Sequence, residues 1–526
     1  MEIRTSLKIL GLFVLPVAFY LLRTNRPGVH LPPGPRRIPV FGNIFQVLSQ
    51  VDFSQSWLAF GKWKEIYGPL VYINIVGQRV VILNSRKVVE DLLDHRASKY
   101  SDRAQNLLVQ YLSRQLNMVV MHYSDPWRKM RRASEAALGP RMMTNYHRKQ
   151  TEESVLLAYG VLNQPISWDF QANRAASSSI LSTVYDLPSI QSPDHPSIAF
   201  MDEFINRNTQ AVLPGSYLVN VFPVLDYLPD CMSEWRIRAR NDFDRYTRTF
   251  QDMFQRIKNR YLSGMEQRPS FCLTLVENTA RHGMSDEENA WLAGTLYAAG
   301  QETSTSVLHW FFLSMILFPE VQQRAQEELD RVVGRSRLPS FADLKHLPYI
   351  VAIINELQRW RPVIPLGVPH ALIEDDYYEG YLIPKGTIAV ANVWSLNHDP
   401  EIYGPDADQF RPERHLDENG FLKDPKDDGH FTFGFGQRVC VGRYVANNFL
   451  FITCAMVLWA MRIEPVKDAQ GNGILPDPDD FHNLNGIILR PSHFDFAASV
   501  RFEDADSLIQ QARDEILRES ASHEDA

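Results

Sequence analysis

Cysteine is scarce. The 526-residue chain holds four, Cys231, Cys272, Cys440 and Cys454. No two stand as C-x-x-C, so neither a disulfide framework nor a zinc-ligand spacing is present. So few thiols suit a reducing compartment better than a secretory lumen. No N-x-Ser/Thr sequon occurs, which agrees with a domain facing the cytosol. Positive charge is in deficit as well. With 54 Lys and Arg against 62 Asp and Glu, the formal net charge is -8, which leaves no footprint for nucleic acid. Internal repeats, long low-complexity stretches and flavin or NAD fingerprints are all missing.

Long uncharged runs are absent except near the start. Residues 9–22 carry no charge, but as a helix they span only about 21 Å against a hydrocarbon core of about 30 Å. Counting from Ile3 brings the length to about 30 Å, provided Arg4 and Lys8 snorkel to the interface. A cleaved signal peptide is the alternative. Arg23, Thr24, Asn25 and Arg26 follow instead of a small-x-small cleavage site, and positive charge there keeps the rest of the chain cytosolic. Residues 1–26 are therefore expected to be a single membrane anchor. Residues 27–38 contain Leu31-Pro32-Pro33-Gly34-Pro35, a stiff linker setting the body at a fixed distance from the membrane. Residues 503–526, rich in Asp and Glu, are expected to fray as an acidic tail.

Between these ends the chain is ordinary globular protein, with 45% apolar and 22% charged residues. Residues 71–83 read as two β-branched strands broken at Gly77-Gln78. Residues 87–360 carry mostly helical periodicity, with amphipathic stretches at 319–333 and 349–360. Short strands and turns follow, then a Gly/Pro/Asp-rich coil over 399–436 and a last helix over 443–461. The expected fold is mainly α with a minor β portion, one large domain over residues 39–502.

One stretch stands apart. Phe433-Gly434-Phe435-Gly436-Gln437-Arg438-Val439-Cys440-Val441-Gly442 fits F-x-x-G-x-R-x-C-x-G at every fixed position. Its glycines let the backbone turn tightly and approach a flat ligand. Backbone N–H groups can then point at the Cys440 sulfur, and the following helix start favours a thiolate. Arg438 can reach an anionic edge of the ligand. A buried free cysteine in a turn is the plain rival, and Cys454, inside an apolar helix, reads that way. A glycine-rich phosphate loop fails for want of a preceding strand and a βαβ unit.

The loop resembles the haem-binding signature of the cytochrome P450 family, and the similarity extends from the Pro-rich segment to about Arg490. The resemblance implies the P450 fold and haem b (iron protoporphyrin IX) as cofactor, with Cys440 as the axial ligand to iron. It also implies that Phe433, Gly436 and Gly442 shape the loop, and that Arg438, Trp127, Arg131 and His370 hold the haem, the last three as propionate contacts. Arg103, in Tyr100-Ser101-Asp102-Arg103, is a further helper. Glu356 and Arg359, three apart on one helix face, would lock to Arg414 and hold the loop. His415 departs from the aromatic residue many members carry there. Ala298-Ala299-Gly300-Gln301-Glu302-Thr303 is similar to the family's oxygen-handling helix. Gly300 would remove bulk where a diatomic ligand lies, Thr303 would hydrogen-bond oxygen or a water, and Glu302 would pass protons from solvent.

The implied activity is a monooxygenase that hydroxylates or otherwise oxidises a lipophilic small molecule with O2. Electrons would come from an NADPH-cytochrome P450 reductase in the endoplasmic reticulum membrane, with Lys129, Arg132 and Arg443 as docking contacts. Segments 105–120, 210–213, 296–299, 363–368 and 485–488 would line an apolar pocket. The sequence is similar in flavour to fungal enzymes of secondary metabolism, which points to a terpenoid or polyketide substrate. Two alternatives stay open: a P450-fold isomerase or dehydratase working without O2, and a haem protein that only binds gas or transfers electrons. The Glu302-Thr303 pair argues against the first.

Overall fold

The computed structural model describes residues 30–39, 41–104, 106–192, 195–213, 215–265, 267–424, 429–484 and 486–524. The expected anchor lies outside the described residues. Among them, no single helix is long and apolar enough to cross a membrane. The fold is mainly helical with small sheets. It divides into two compact units rather than one. The first comprises Met1–Gln105, Ile364–Asp399 and Gly434–Val439, and the second Asn106–Val363, Pro400–Phe433 and Cys440–Ala526. The chain enters each unit three times, so no linker or composition shift marks the division in the sequence.

The first unit is built on a four-stranded sheet of order β1-β2-β6-β3, with β1 Leu70–Ile75, β2 Gln78–Leu83, β3 His370–Ala371 and β6 Ile388–Ala391. β1 and β2 pair antiparallel with Ile75 opposite Gln78. The two-residue turn between them needs left-handed backbone at both positions. Val76 and Gly77 adopt it, at φ 49° and 91°, and Asn74 Oδ1 accepts the Gly77 N–H at 2.8 Å. β2 runs parallel to β6 with Val80 opposite Ile388. β3 pairs antiparallel with β6, setting His370 opposite Ala389. A separate hairpin joins β4 Asp376–Tyr378 to β5 Tyr381–Ile383. The helix α1, Ser56–Tyr67, buries Trp57 and Trp63.

The Pro-rich segment differs from the spacer expected of it. Pro33 carbonyl accepts the Tyr72 N–H at 2.7 Å, and His30 carbonyl accepts that of Leu382 at 2.7 Å. The Asn43 amide donates to Pro35 carbonyl at 2.9 Å. Prolines lack N–H groups but keep carbonyls, so the stretch lies against strands as an acceptor and belongs to the body.

The second unit is a helical assembly: α2 Leu107–Ser113, α3 Asp125–Leu138, α4 Thr144–Asn163, α5 Trp168–Tyr185, α6 Pro196–Val212 and α7 Glu234–Leu262. These are followed by α8 Asp286–Leu317, α9 Pro319–Val332, α10 Pro348–Trp360, α11 Arg443–Ala460 and α12 Ala505–Glu524. Beside them stand the pairs β7 Met461–Pro465 with β10 Phe496–Val500, and β8 Phe481–Leu484 with β9 Ile488–Pro491. α8 begins with a capping box, Ser285 and Glu288 exchanging side-chain and backbone bonds, and has three acids in its first turn. It is buried on nearly all sides, which marks it as the centre of the unit. It stops at Phe318, where Pro319 opens α9. Trp310 on α8 donates its indole N–H to Leu489 carbonyl at 3.2 Å and so ties β9 to the helix.

The acidic terminus is not a frayed tail. Residues 505–524 form α12, with Ala505 and Ile509 fully buried. Arg513 lies over the Tyr159 ring of α4, at 4.5 Å, and Arg148 of α4 pairs with Glu519. A few apolar anchors and opposite charges on α4 hold a stretch whose net charge alone suggested solvent.

Candidate active site

The loop over residues 433–442 is closed by the Cys440 N–H donating to Phe433 carbonyl, at 2.8 Å. Gly436 sits at φ +55°, and a Cβ there would stand 2.2 Å from Leu93 carbonyl oxygen. Only glycine permits that approach. Its N–H donates to Asp94 Oδ1 at 2.6 Å, and burial pushes the Asp94 carboxyl up.

Within the first unit the loop's Arg438 joins two other cations. Arg438 Nε donates to Ser101 carbonyl at 2.8 Å. Arg103 Nη1 donates to the carbonyls of Val368 and Pro369 at 2.6 and 2.8 Å. His370 Nδ1 lies 2.8 Å from Tyr100 carbonyl. Burial, then the charge of Arg103, holds the imidazole down at about 3, so the ring is neutral at pH 7. A neutral ring donating from Nδ1 leaves Nε2 an acceptor. It can donate to an anionic group only by taking a second proton, which two guanidiniums oppose and a carboxylate would favour. Burial and the Arg438 charge likewise hold Arg103 well below its ordinary range. Such a buried cationic group fits a ligand with carboxylates.

A pH dependence follows with a definite sign. The unfolded chain protonates His370 near pH 6.5, while the folded haem-free protein resists until about 3. The contribution of His370 to stability is present above pH 6.5 and is lost as pH falls toward 3. Denaturant unfolding of the haem-free protein at pH 7 and pH 5 should show a lower midpoint at pH 5. His370→Asn should flatten that difference.

In the second unit, Cys440 is an exposed residue, yet burial dominates its titration and pushes the thiol up. The surface it exposes is thus enclosed rather than open to bulk solvent. The backbone N–H groups of Gly442 and Arg443 hydrogen-bond the sulfur and work against burial, as do the charges of Arg131 and Arg443. A cation facing the sulfur would complete the stabilisation of a thiolate. Arg443 Nη1 donates back to Cys440 carbonyl at 2.9 Å. Arg131 and Trp127 lie on α3 behind an N-cap from Ser124. Arg131 Nε pairs with Glu135 at 2.7 Å. The indole N–H of Trp127 donates to Met118 carbonyl at 3.2 Å. Its only donor is spent there, so the structure gives Trp127 a packing role rather than the ligand contact expected.

On α8, Thr303 Oγ1 donates to Ala299 carbonyl at 2.8 Å. Ala299 is exposed although Ala298, Gln301 and Glu302 are buried, so this face of the helix borders open space. Gly300 points elsewhere. A Cβ on it would meet Ile180 Cγ1 at 2.7 Å and Cδ1 at 2.8 Å. The expectation that Gly300 clears room for a diatomic ligand is corrected: it lets α5 pack closely on α8, and Ala299 stands one turn before Thr303. Gly300→Val should destabilise the fold by about 1–3 kcal/mol through overpacking, measurable by denaturant unfolding. Unchanged stability would return Gly300 to the ligand side.

Glu302 is buried and paired with Arg490 of β9 at 2.8 Å. Arg490 Nε also donates to Ser306 Oγ at 3.1 Å. Burial pushes Glu302 up against the charge of Arg490. Gln301 donates to Asp202 of α6 at 2.7 Å.

Glu356 on α10 is fully buried and surrounded by donors. Arg359 binds it through two nitrogens, at 2.7 and 2.8 Å. Arg414 Nε donates at 2.9 Å and the Arg411 N–H at 2.8 Å. His415 Nε2 lies 2.9 Å from Oε2. Burial pushes this carboxyl up, but hydrogen bonds from Arg359 and His415 outweigh it and hold it at about 2. Arg414 Nη1 reaches Tyr403 carbonyl at 2.8 Å, and Arg359 Nη2 reaches Gln409 carbonyl at 2.8 Å. The group thus staples the coil after α10 to the helix. His415 and Arg490 escaped sequence reading. The first looked like a packing change, and the second lies 188 positions from its partner with no motif to flag it.

The cytochrome P450 family model matches residues 32–494. The chain is 46% identical over 509 residues to a cytochrome P450 monooxygenase of Armillaria gallica, covering 95% of this chain and 96% of the relative. It is 41% identical to cytochrome P450 monooxygenase 58 of Postia placenta, covering 91% and 90%. It is 36% identical to cytochrome P450 monooxygenase iboC of Amanita muscaria, covering 98% and 99%. The family implies a haem cofactor, O2, a redox partner and a lipophilic substrate. By a match over most of its length and full-length likeness to fungal enzymes, the chain belongs to the cytochrome P450 family of monooxygenases.

Proposed function

We propose that the protein hydroxylates or otherwise oxidises a lipophilic fungal secondary metabolite, a terpenoid or polyketide, using haem b, O2 and electrons from an NADPH-cytochrome P450 reductase. The observation that carries the reading is the Cys440 sulfur, receiving two backbone N–H groups at the start of α11 with Arg131 and Arg443 nearby. The iron would be held by this sulfur. The haem carboxylates suit Arg131 and the Arg103, Arg438 and His370 group. When bound, the haem supplies the activation of O2 for transfer of one oxygen atom to carbon, favoured by thiolate donation.

The chain's own residues do the rest. The Gly442 and Arg443 N–H groups keep negative charge on Cys440. Thr303 offers a hydroxyl on the open face of α8, beside Ala299. Glu302, pushed up by burial, can hold a proton next to it. The Glu356, Arg359, Arg414 and His415 cluster keeps the coil before the loop in place. An anchor over residues 1–26 would set the enzyme on the endoplasmic reticulum membrane beside its reductase. Expression with a reductase partner, followed by product profiling on terpenoid and polyketide extracts, tests the reading. Oxygenated products dependent on NADPH and O2 support it. Conversion that proceeds without O2 would sink it in favour of an isomerase or dehydratase.

A further inference from the structure

α8 is apolar around most of its length, so polar groups on one of its faces need a reason. Glu302, Ser306 and His309 stand at positions i, i+4 and i+7 and share a face. All three are buried. Arg490 bridges the first two, at 2.8 Å to Glu302 and 3.1 Å to Ser306. His309 Nε2 lies 2.9 Å from Asp169 Oδ1 in the first turn of α5. The Asp169 side chain is 51% exposed, while that of His309 is 6% exposed. A polar seam therefore runs from solvent at Asp169 through His309 and Ser306 to Glu302, beside Thr303. Burying such groups costs free energy that an apolar helix face would avoid.

We propose that this seam supplies protons to Glu302, with Asp169 and His309 as the entry, Ser306 as the relay and Arg490 as the positioning residue. The inference rests on the reading of Glu302 and Thr303 given above. A solvent proton is taken up at the His309 ring on the Asp169 side, and the ring gives one toward Ser306. The Ser306 hydroxyl accepts that proton as it passes its own to the Glu302 carboxylate. The relay groups end unchanged, solvent has lost one proton, and Glu302 is neutral. Neutral Glu302 loses its ion pair with Arg490 and is released toward Thr303.

The charges around the seam set its direction. His309 faces Asp169, Arg490 and His482. Asp169 faces His309, Arg490 and His493. Glu302 faces Arg490 and Asp202. Burial holds His309 below its ordinary value, so it carries a proton only briefly. Arg490 opposes a proton at both ends, and Asp169 favours one at the entry. A purely structural network tying β9 and α5 to α8 is the rival.

The test uses the full-length holoenzyme, reduced with dithionite and mixed with air-saturated buffer. The return of the oxidised spectrum is followed across pH in H2O and D2O. His309→Gln and Asp169→Asn should slow the return about tenfold. They should also enlarge the solvent isotope effect and flatten the pH profile, without lowering the thermal midpoint in proportion. Independently of turnover, the infrared carboxyl band of Glu302, identified by its loss in Glu302→Gln, should titrate at higher pH in Arg490→Gln. If Glu302→Gln slows the return while His309→Gln changes neither rate, pH profile nor isotope effect, the seam is overturned and the reading of Glu302 stands. If Glu302→Gln and Thr303→Ala also change nothing, that reading fails with it.

Discussion

Reduced protein under carbon monoxide should show the red-shifted Soret band of thiolate ligation, and Cys440→Ser should abolish it completely. The hydroxyl of serine keeps the hydrogen-bonding shape but not the charge. A thiolate forms near neutral pH when N–H groups and cations favour it, whereas an alkoxide does not form there. Burial already pushes the Cys440 thiol up, so the balance at this position rests on the two N–H groups, Arg131, Arg443 and the bound iron. Cys454, buried inside α11 with its thiol pushed well above the ordinary range by burial alone, is the control. Cys454→Ser should keep the band. A wild-type spectrum typical of histidine ligation would refute the assignment outright.

The second large effect is expected at Glu356. Glu356→Gln removes the one negative charge from a buried group containing Arg359, Arg414 and His415. Breaking a buried ion cluster from one side costs about 3–5 kcal/mol, because the stranded charges cannot be rehydrated. The variant should accumulate poorly and, where purified, unfold at much lower denaturant concentration. Linkage gives an independent check. A carboxyl held at about 2 in the fold stabilises above its unfolded value and loses that contribution as pH falls through the fold's own. Acid unfolding of wild type should therefore contain a steep component below pH 4.5 that Glu356→Gln lacks. His415→Phe separates the roles. It removes one donor but leaves Arg359, Arg414 and the Arg411 N–H on the carboxylate, and should cost only about 1–3 kcal/mol. Equal losses in the two variants would show that packing, not charge, holds this group together.

Much of this architecture was legible in the linear pattern. The hairpin over residues 71–83 followed from β-branched runs either side of a glycine, and α10 and α11 from apolar periodicity within a residue of their observed ends. The loop over residues 433–442 could be read because glycines, arginine and cysteine must stand at fixed spacing for a turn to present a sulfur. What failed to read was whatever depends on direction. Gly300 sits in the expected motif, but a helix rotates 100° per residue, and its bare face turns to Ile180. Trp127 has the expected spacing to Arg131, yet its N–H is taken by Met118.

The sequence alone determined the element types, the sulfur-presenting turn and the family, since each depends on neighbours a few positions apart. Only the tertiary structure decided which partners meet. Arg490 reaches Glu302 and Ser306, His309 reaches Asp169, and His415 turns onto Glu356. The acidic terminus folds against α4, and the Pro-rich segment lies along β1. Those outcomes are set by desolvation. A buried charge or carbonyl must find its complement wherever the fold brings one, and no local spacing records where that is.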